Sequence, residues 1–263
     1  MLVRYPVNID DTYSYMPRSS DYGTGVYRRR VRLVGAAGVV RAEMEDCLHG
    51  MRCSVHHADG VITDIQSEML RVPISTCGGA VQPIRALVGQ RVDLDERELG
   101  QIAGPRRNCT HLLDLALLAI AHIRRGAGVR QYDVAITDET EQGTIASVRL
   151  DNALVHEWRI AKGAFVEPGR WAGQPVLQGF AKWAGAAYRG DELEAARVLQ
   201  KGYFVACARF YDVGALDGKP SAGEKAMLGS CHSYSPGVVE HAVRNHKTVR
   251  DFTHREEALL RFL

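Results

Sequence analysis

Between residues 112 and 123 every position except Asp114 and His122 is Leu, Ala or Ile. A run of that composition is too short to cross a membrane. In a water-soluble chain it predicts a helix buried on most of its sides. Such a helix needs other layers to cover it, so the rest of the chain must supply them. Gly126 and Gly128 follow it and mark its end.

The flanking sequence has a different period. From Val26 onward apolar residues alternate, with Val31 and Leu33, then stretches at 38–44 and 51–55, then Val61, Ile62 and Ile65 after the turn Ala58-Asp59-Gly60. Asp-Gly between alternating runs is a hairpin signal, and three or four antiparallel strands are predicted here. A second set of short runs lies at 132–137, 144–150 and 154–160, separated by polar turns at 139–143 and at Asp151-Asn152. No regular strand-helix alternation of a parallel sheet is present. The expected fold is therefore α+β, with two antiparallel β regions packed around the apolar helix at 112–123.

Between these regions, Pro73 ends the first sheet and Cys77-Gly78-Gly79 opens a helix to about Val88, with Pro83 forcing a later start or a kink. Residues 93–99 predict a short helix that Gly104-Pro105 breaks. Residues 171–188 and 191–200 predict two further helices, 203–211 a strand-like run, and 213–236 a loop-like tail before a weakly helical end. The first 25 residues, rich in Tyr, Pro, Ser, Asp and Gly without a period, predict an extended arm. Residues 26–263 then form one domain with sub-regions 26–130 and 131–263.

With 263 residues, 46% of them hydrophobic, the chain can bury a substantial core. A formal net charge of +2 does not call for nucleic acid or a membrane surface. The run Arg28-Arg29-Arg30 with Arg32 is expected on a solvated strand face, since a nucleic-acid footprint needs a wider basic patch and stacking aromatics. The N-terminus lacks the pattern of a secretory signal, and a cytoplasmic location is expected. Six cysteines, at 47, 53, 77, 109, 207 and 231, include no CxxC pair. In a reducing compartment they are thiols or metal ligands rather than disulfides, and any metal site must be assembled from separate segments. No GxSxG, phosphate-binding loop or HExxH motif occurs.

The chemistry concentrates at the start of the apolar helix, where Cys109 and His111 stand two apart. A thiol there meets unpaired backbone N–H groups and the positive end of the helix dipole. Cys77 also precedes a glycine-rich helix start. Cys77, Cys109 and His111 make a Cys2His set that leaves one position open on a zinc or iron ion, the pattern of a catalytic metal. Asp46 and His49, in a turn between strands, are proton-transfer candidates, or a fourth ligand that would close the site. Arg209 and Tyr211 are candidates for anchoring an anionic group and for proton transfer. Cys231-His232 repeats the Cys/His pairing in a loop without helix support. Trp158, Trp171, Trp183, Tyr203, Phe204 and Tyr211 either wall a pocket for a small aromatic substrate or belong to the core.

The order Glu45-Asp46 with His49, then Pro73 with Cys77, then Cys109-Thr110-His111-Leu112 with Asp114, then Arg209-Phe210-Tyr211, resembles the bacterial domain of unknown function family 2889, from about Arg28 to about Asp251. The resemblance groups these positions as one set and implies no mechanism. Members often carry Gly before the second cysteine, where this chain has Asn108.

Three functional classes follow. The first is a metal-dependent lyase or hydrolase acting on a small aromatic or carbonyl-bearing metabolite. The second is a scaffold that handles an iron–sulfur cluster or a metal, and the third is an interaction protein with a structural zinc. The expected partner is a small-molecule substrate, with a homo-oligomer left open.

Overall fold

The structure, a computed structural model, describes residues 16–245 and 247–262. The first fifteen residues of the expected arm lie outside them. From Met16 on, the arm lies along the 210–212 segment: Asp212 N–H donates to Pro17 O at 2.8 Å and Ser19 N–H to Phe210 O at 3.0 Å.

The eight strands are β1 (Val26–Ala36), β2 (Val39–Asp46), β3 (Gly50–Ala58), β4 (Val61–Arg71), β5 (Gly128–Thr137), β6 (Thr144–Leu150), β7 (Ala153–Ala161) and β8 (Ala164–Glu167). The helices are α1 (Glu96–Ala103), α2 (Thr110–Ile123), α3 (Phe180–Ala187) and α4 (Gly190–Ala206), with short 3-10 turns between them. β2 to β4 and β5 to β8 pair antiparallel with their sequence neighbours, and the class is α+β. Two compact units are built from these elements. One comprises Val31–Arg130, Leu216–Arg250 and Ala258–Leu263; the other comprises Met1–Arg30, Gln131–Ala215 and Asp251–Glu257.

In the first unit the strand order is β4-β3-β2-β1. The alternation that predicted these strands puts Val40, Ala42 and Met44 of β2 and Met51, Cys53 and Val55 of β3 on the buried face, where α2 packs. Burying a large aliphatic side chain contributes about 1.5–3 kcal/mol, and α2 buries Leu112, Leu113, Leu115 and Ile120 among others. The Asp59-Gly60 turn has φ of 51° and 75°, the left-handed pair that a two-residue hairpin demands. The expected helix at 77–88 is two 3-10 turns, Cys77–Val81 and Pro83–Leu87, with the break at the proline that cannot continue the hydrogen-bond ladder.

In the second unit β5-β6-β7-β8 lie in that order, and this β region carries its own helix, α4, on β6 and β7. The strand-like run expected at 203–211 is instead the last turn of α4 and a 3-10 turn, Cys207–Phe210. Gly202 is not a terminator: a Cβ there would sit 2.9 Å from Val134 Cγ1, so glycine lets the helix approach the sheet. The buried stripe Ala195, Leu199, Gly202, Ala206 runs straight through it. Of the helix expected at 171–188 only α3 forms, beginning after Gly179 at φ 68°. Arg28 and Arg30 of the basic run meet acidic partners in this unit, Glu256 and Asp133, each at 2.5 Å.

Cys53 faces the β2–β4 core, and burial pushes its thiol from the ordinary 9.0 up to about 11, against the smaller opposing effect of the Ser67 hydroxyl. The raised value means that the unfolded chain gives up this proton first. Stability from this group is complete below pH 9 and is lost as pH climbs toward 11. Denaturant unfolding between pH 8 and 11 is expected to show an alkaline loss that is shallower in Cys53→Ala, by up to about 1.4 kcal/mol per pH unit.

Candidate functional site

The β2–β3 ladder runs in register from Val39 opposite His56 to Glu45 opposite Gly50, which leaves Asp46 to His49 to make the turn. Asp46 is fully buried. Its Oδ1 accepts the N–H groups of Leu48 and His49, both at 2.8 Å, and lies 3.0 Å from His49 Nδ1. An ionised carboxylate only accepts, so this contact assigns the proton to Nδ1 and leaves Nε2 on the opposite side of the ring as the basic nitrogen. The His49 ring lies against the His111 ring, with centroids 4.1 Å apart and planes at 32°. His111 is in the first turn of α2 and is half-buried. One strand turn and one helix start therefore present two imidazoles side by side.

A second layer of bonds fixes this turn. Arg71 Nη2 donates to the carbonyls of Asp46 at 2.6 Å and His49 at 3.2 Å, and Nη1 donates to that of Cys47 at 2.9 Å. Nη2 also reaches Glu45 Oε1 at 2.9 Å, an ion pair in which Glu45 is 1% and Arg71 7% exposed.

Cys77 and Cys231 share one apolar cluster, and both thiols act electrostatically on Cys109. The Ser233 hydroxyl donates to Cys77 Sγ at 3.3 Å, and Cys231 packs against the apolar cluster that contains Cys77 and Tyr234. His232 N–H donates to Asn108 O at 2.9 Å, which ties this segment to the residue before Cys109. The His232 ring covers Gly79, where a Cβ would lie 2.4 Å from Nε2. Asn108 closes the preceding turn through its side-chain amide, donating to Ala103 O at 2.6 Å. Burial pushes the Cys109 thiol up to about 12; the Cys77 thiol adds to this, while the Leu112 and His111 N–H groups at the helix start oppose it. Burial likewise raises Cys77. The helix-start effect expected to favour thiolate is present but loses to desolvation.

His111 is turned toward His49. Among the described residues no group of three or more His, Cys, Asp or Glu side chains is arranged to hold a metal ion. The Cys231-His232 pairing is visible in the sequence, but its place beside Cys77 is not, since the Ser233 hydroxyl that bonds Cys77 lies 156 residues further along the chain.

Arg209 and Tyr211 belong to the second unit. Arg209 Nε and Nη2 donate to Asp138 Oδ1 and Oδ2 at 2.8 and 3.2 Å, and Asp138 also accepts Gly25 N–H at 2.9 Å. This guanidinium holds the start of β1 to the end of β5. Tyr211 is buried, edge-on to Phe210 at 5.0 Å. The aromatic residues Trp158, Phe165, Trp171, Phe180, Trp183 and Tyr188 stack in mutual contact, Trp158 on Phe165 at 5.0 Å and Phe180 on Trp183 at 4.9 Å, so they are packing partners of one another.

Residues 30–125 match the family model described as protein of unknown function, DUF2889. The chain resembles that family over this stretch, which takes in Asp46, His49, Cys77, Cys109 and His111 and stops short of Arg209, Tyr211 and Cys231. No curated protein and no solved structure matches the chain. No helix among the described residues is long and apolar enough to cross a membrane.

Removing one partner of a buried, hydrogen-bonded ion pair costs about 3–5 kcal/mol, because it strands the other charge. Arg209→Ala is therefore expected to lower stability by a few kcal/mol, toward the lower end of that range because Gly25 still solvates Asp138. Chemical denaturation of Arg209→Ala beside the double variant Arg209→Ala/Asp138→Asn checks this, with the double variant expected to be the more stable of the two.

Proposed function

We propose that this chain is an enzyme of the hydrolase or lyase class that uses His49, oriented by Asp46, with His111 beside it, for proton transfer on a small carbonyl-bearing or aromatic metabolite in the cytoplasm. The carrying observation is the buried carboxylate that accepts two backbone N–H bonds and sits 3.0 Å from His49 Nδ1. A ring held in that way cannot turn, and its free nitrogen has a fixed direction. His49 Nε2 takes a proton from an attacking water or from a carbon next to a carbonyl. The adjacent His111 supplies a proton to the oxygen that leaves or becomes an enol. Two imidazoles in contact can divide these tasks, one taking up a proton as the other gives one. Arg209 is committed to Asp138 and has no part in this scheme.

The gathering of Cys77, Cys109 and Cys231 favours a second reading, in which zinc or iron is held there by thiols, alone or with His111, as a catalytic, structural or cluster-handling centre. A divalent metal at that place would act as a Lewis acid on a substrate oxygen. The side chains as arranged do not make a metal site, so no step is assigned to it.

The test is a screen of small esters, lactones, hydroxy acids and aromatic carbonyl compounds with purified protein, followed by variants. His49→Gln is expected to slow kcat by about 10²–10⁴-fold. Asp46→Asn keeps an oxygen for the Leu48 and His49 N–H groups but no charge for the imidazolium, and is expected to slow it comparably with the thermal midpoint nearly unchanged. Turnover at the wild-type rate in both variants contradicts the proposal. Elemental analysis separates the second reading: one retained equivalent of zinc or iron, lost together with activity in Cys109→Ser, supports the metal; full activity in metal-free protein opposes it.

A further inference from the structure

We infer that residues 260–262 form a clasp that positions the His49 turn, with Glu45 and Phe262 as positioning residues for the acid–base group; this rests on the reading of His49 given above. Glu45 divides its carboxylate between two tasks. Oε1 takes Arg71, which ties the turn carbonyls, and Oε2 takes the N–H groups of Leu260 at 2.6 Å and Phe262 at 3.4 Å. The same side chain that anchors the turn thus anchors a segment 215 residues further along the chain.

Three observations make this segment more than a frayed tail. Leu260 and Phe262 have φ of 69° and 55°, a left-handed backbone that side chains of this bulk rarely adopt. Both N–H groups that bond Glu45 belong to these two residues, so the unusual backbone coincides with the bonds that require it. The Phe262 ring covers Gly50, the residue next to His49: a Cβ on Gly50 would lie 3.1 Å from Phe262 Cδ1. The Arg52 guanidinium also lies over this ring, 4.5 Å from its centroid. Glycine at 50 is thus the notch into which the clasp seats. Glu45 is almost fully buried, and if the clasp opened its carboxylate would keep one of its three partners, Arg71, which couples closure of 260–262 to the order of the turn.

The full-length chain, labelled with ¹⁵N, tests this by solvent exchange of the His49 Nδ1–H, the ring proton assigned to the Asp46 contact. In Phe262→Ala and Glu45→Gln this exchange is expected to quicken at least tenfold, and Phe262→Tyr is expected to restore it, while the amides of Ala116 and Ala119 within α2 keep their protection. Unchanged exchange in folded Phe262→Ala overturns the clasp, whatever the activity. Should Glu45→Gln fail to fold, the Phe262 pair carries the test alone. Turnover measured on the same samples separates the two ideas: faster ring exchange with undiminished kcat supports the clasp and contradicts the role given to His49.

Discussion

The buried pair of Glu45 and Arg71 is the interaction on which the first unit's chemistry depends. Placing two charges out of water is unfavourable unless each remaining lone pair and N–H finds a partner. Here they do. Both Glu45 oxygens are engaged, and the guanidinium fork collects carbonyls from Asp46, Cys47, His49 and Thr248. A neutral pair of similar volume would fill the space, but it would not gather four carbonyls and two amides at one point. This is how the turn that carries the His49 imidazole is held. The geometry follows from arginine, whose planar fork serves several acceptors at once; lysine would replace it poorly.

The same economy recurs within the second unit. Asp138 is buried, and Arg209, Gly23 and Gly25 satisfy it together. Gly25 is required because a Cβ there would strike the Arg209 guanidinium at 2.0 Å. The two networks resemble each other in form, yet they differ in what they leave over. Around Asp138 the carboxylate oxygens are taken up by Arg209, Gly23 and Gly25. Around Asp46, by contrast, the bonds on Nδ1 leave the other ring nitrogen of His49 uncommitted by that contact, beside a second imidazole.

Much of the architecture could be read from periodicity. The helix at 112–123 is α2 with two residues added at its start, and the Asp59-Gly60 and Asp151-Asn152 turns fall between strands as their left-handed preference requires. What failed was governed by contacts between distant segments. Tyr203-Phe204-Val205 has strand-forming residues, but the stripe of small residues on α4 fits the sheet closely enough to override that preference. Gly202 lies between the helix predicted at 191–200 and the strand-like run predicted at 203–211, and its packing role is invisible without its neighbour Val134. For the site, Asp46 and His49 were legible as polar residues in a turn and Cys109 as a thiol at a helix start. The contact of His111 with His49 depends on the approach of α2 to the β2–β3 turn. Arg209 carries an expectation of anchoring an anionic group; its carboxylate partner, 71 residues away, has no local signature. The roles of Cys231 and of residues 260–262 were equally illegible, since both are defined by segments far off in sequence.

The central claim is that the imidazole of His49 carries the proton. Removing that ring as His49→Ala and supplying imidazole in solution tests it most directly, because a small free base can occupy the vacated space and do the same work. The account predicts that turnover in this variant rises in proportion to the concentration of unprotonated imidazole, with no such response in the wild type or in Asp138→Asn. A His49→Ala protein that is folded, slow and indifferent to imidazole across the accessible range would contradict it.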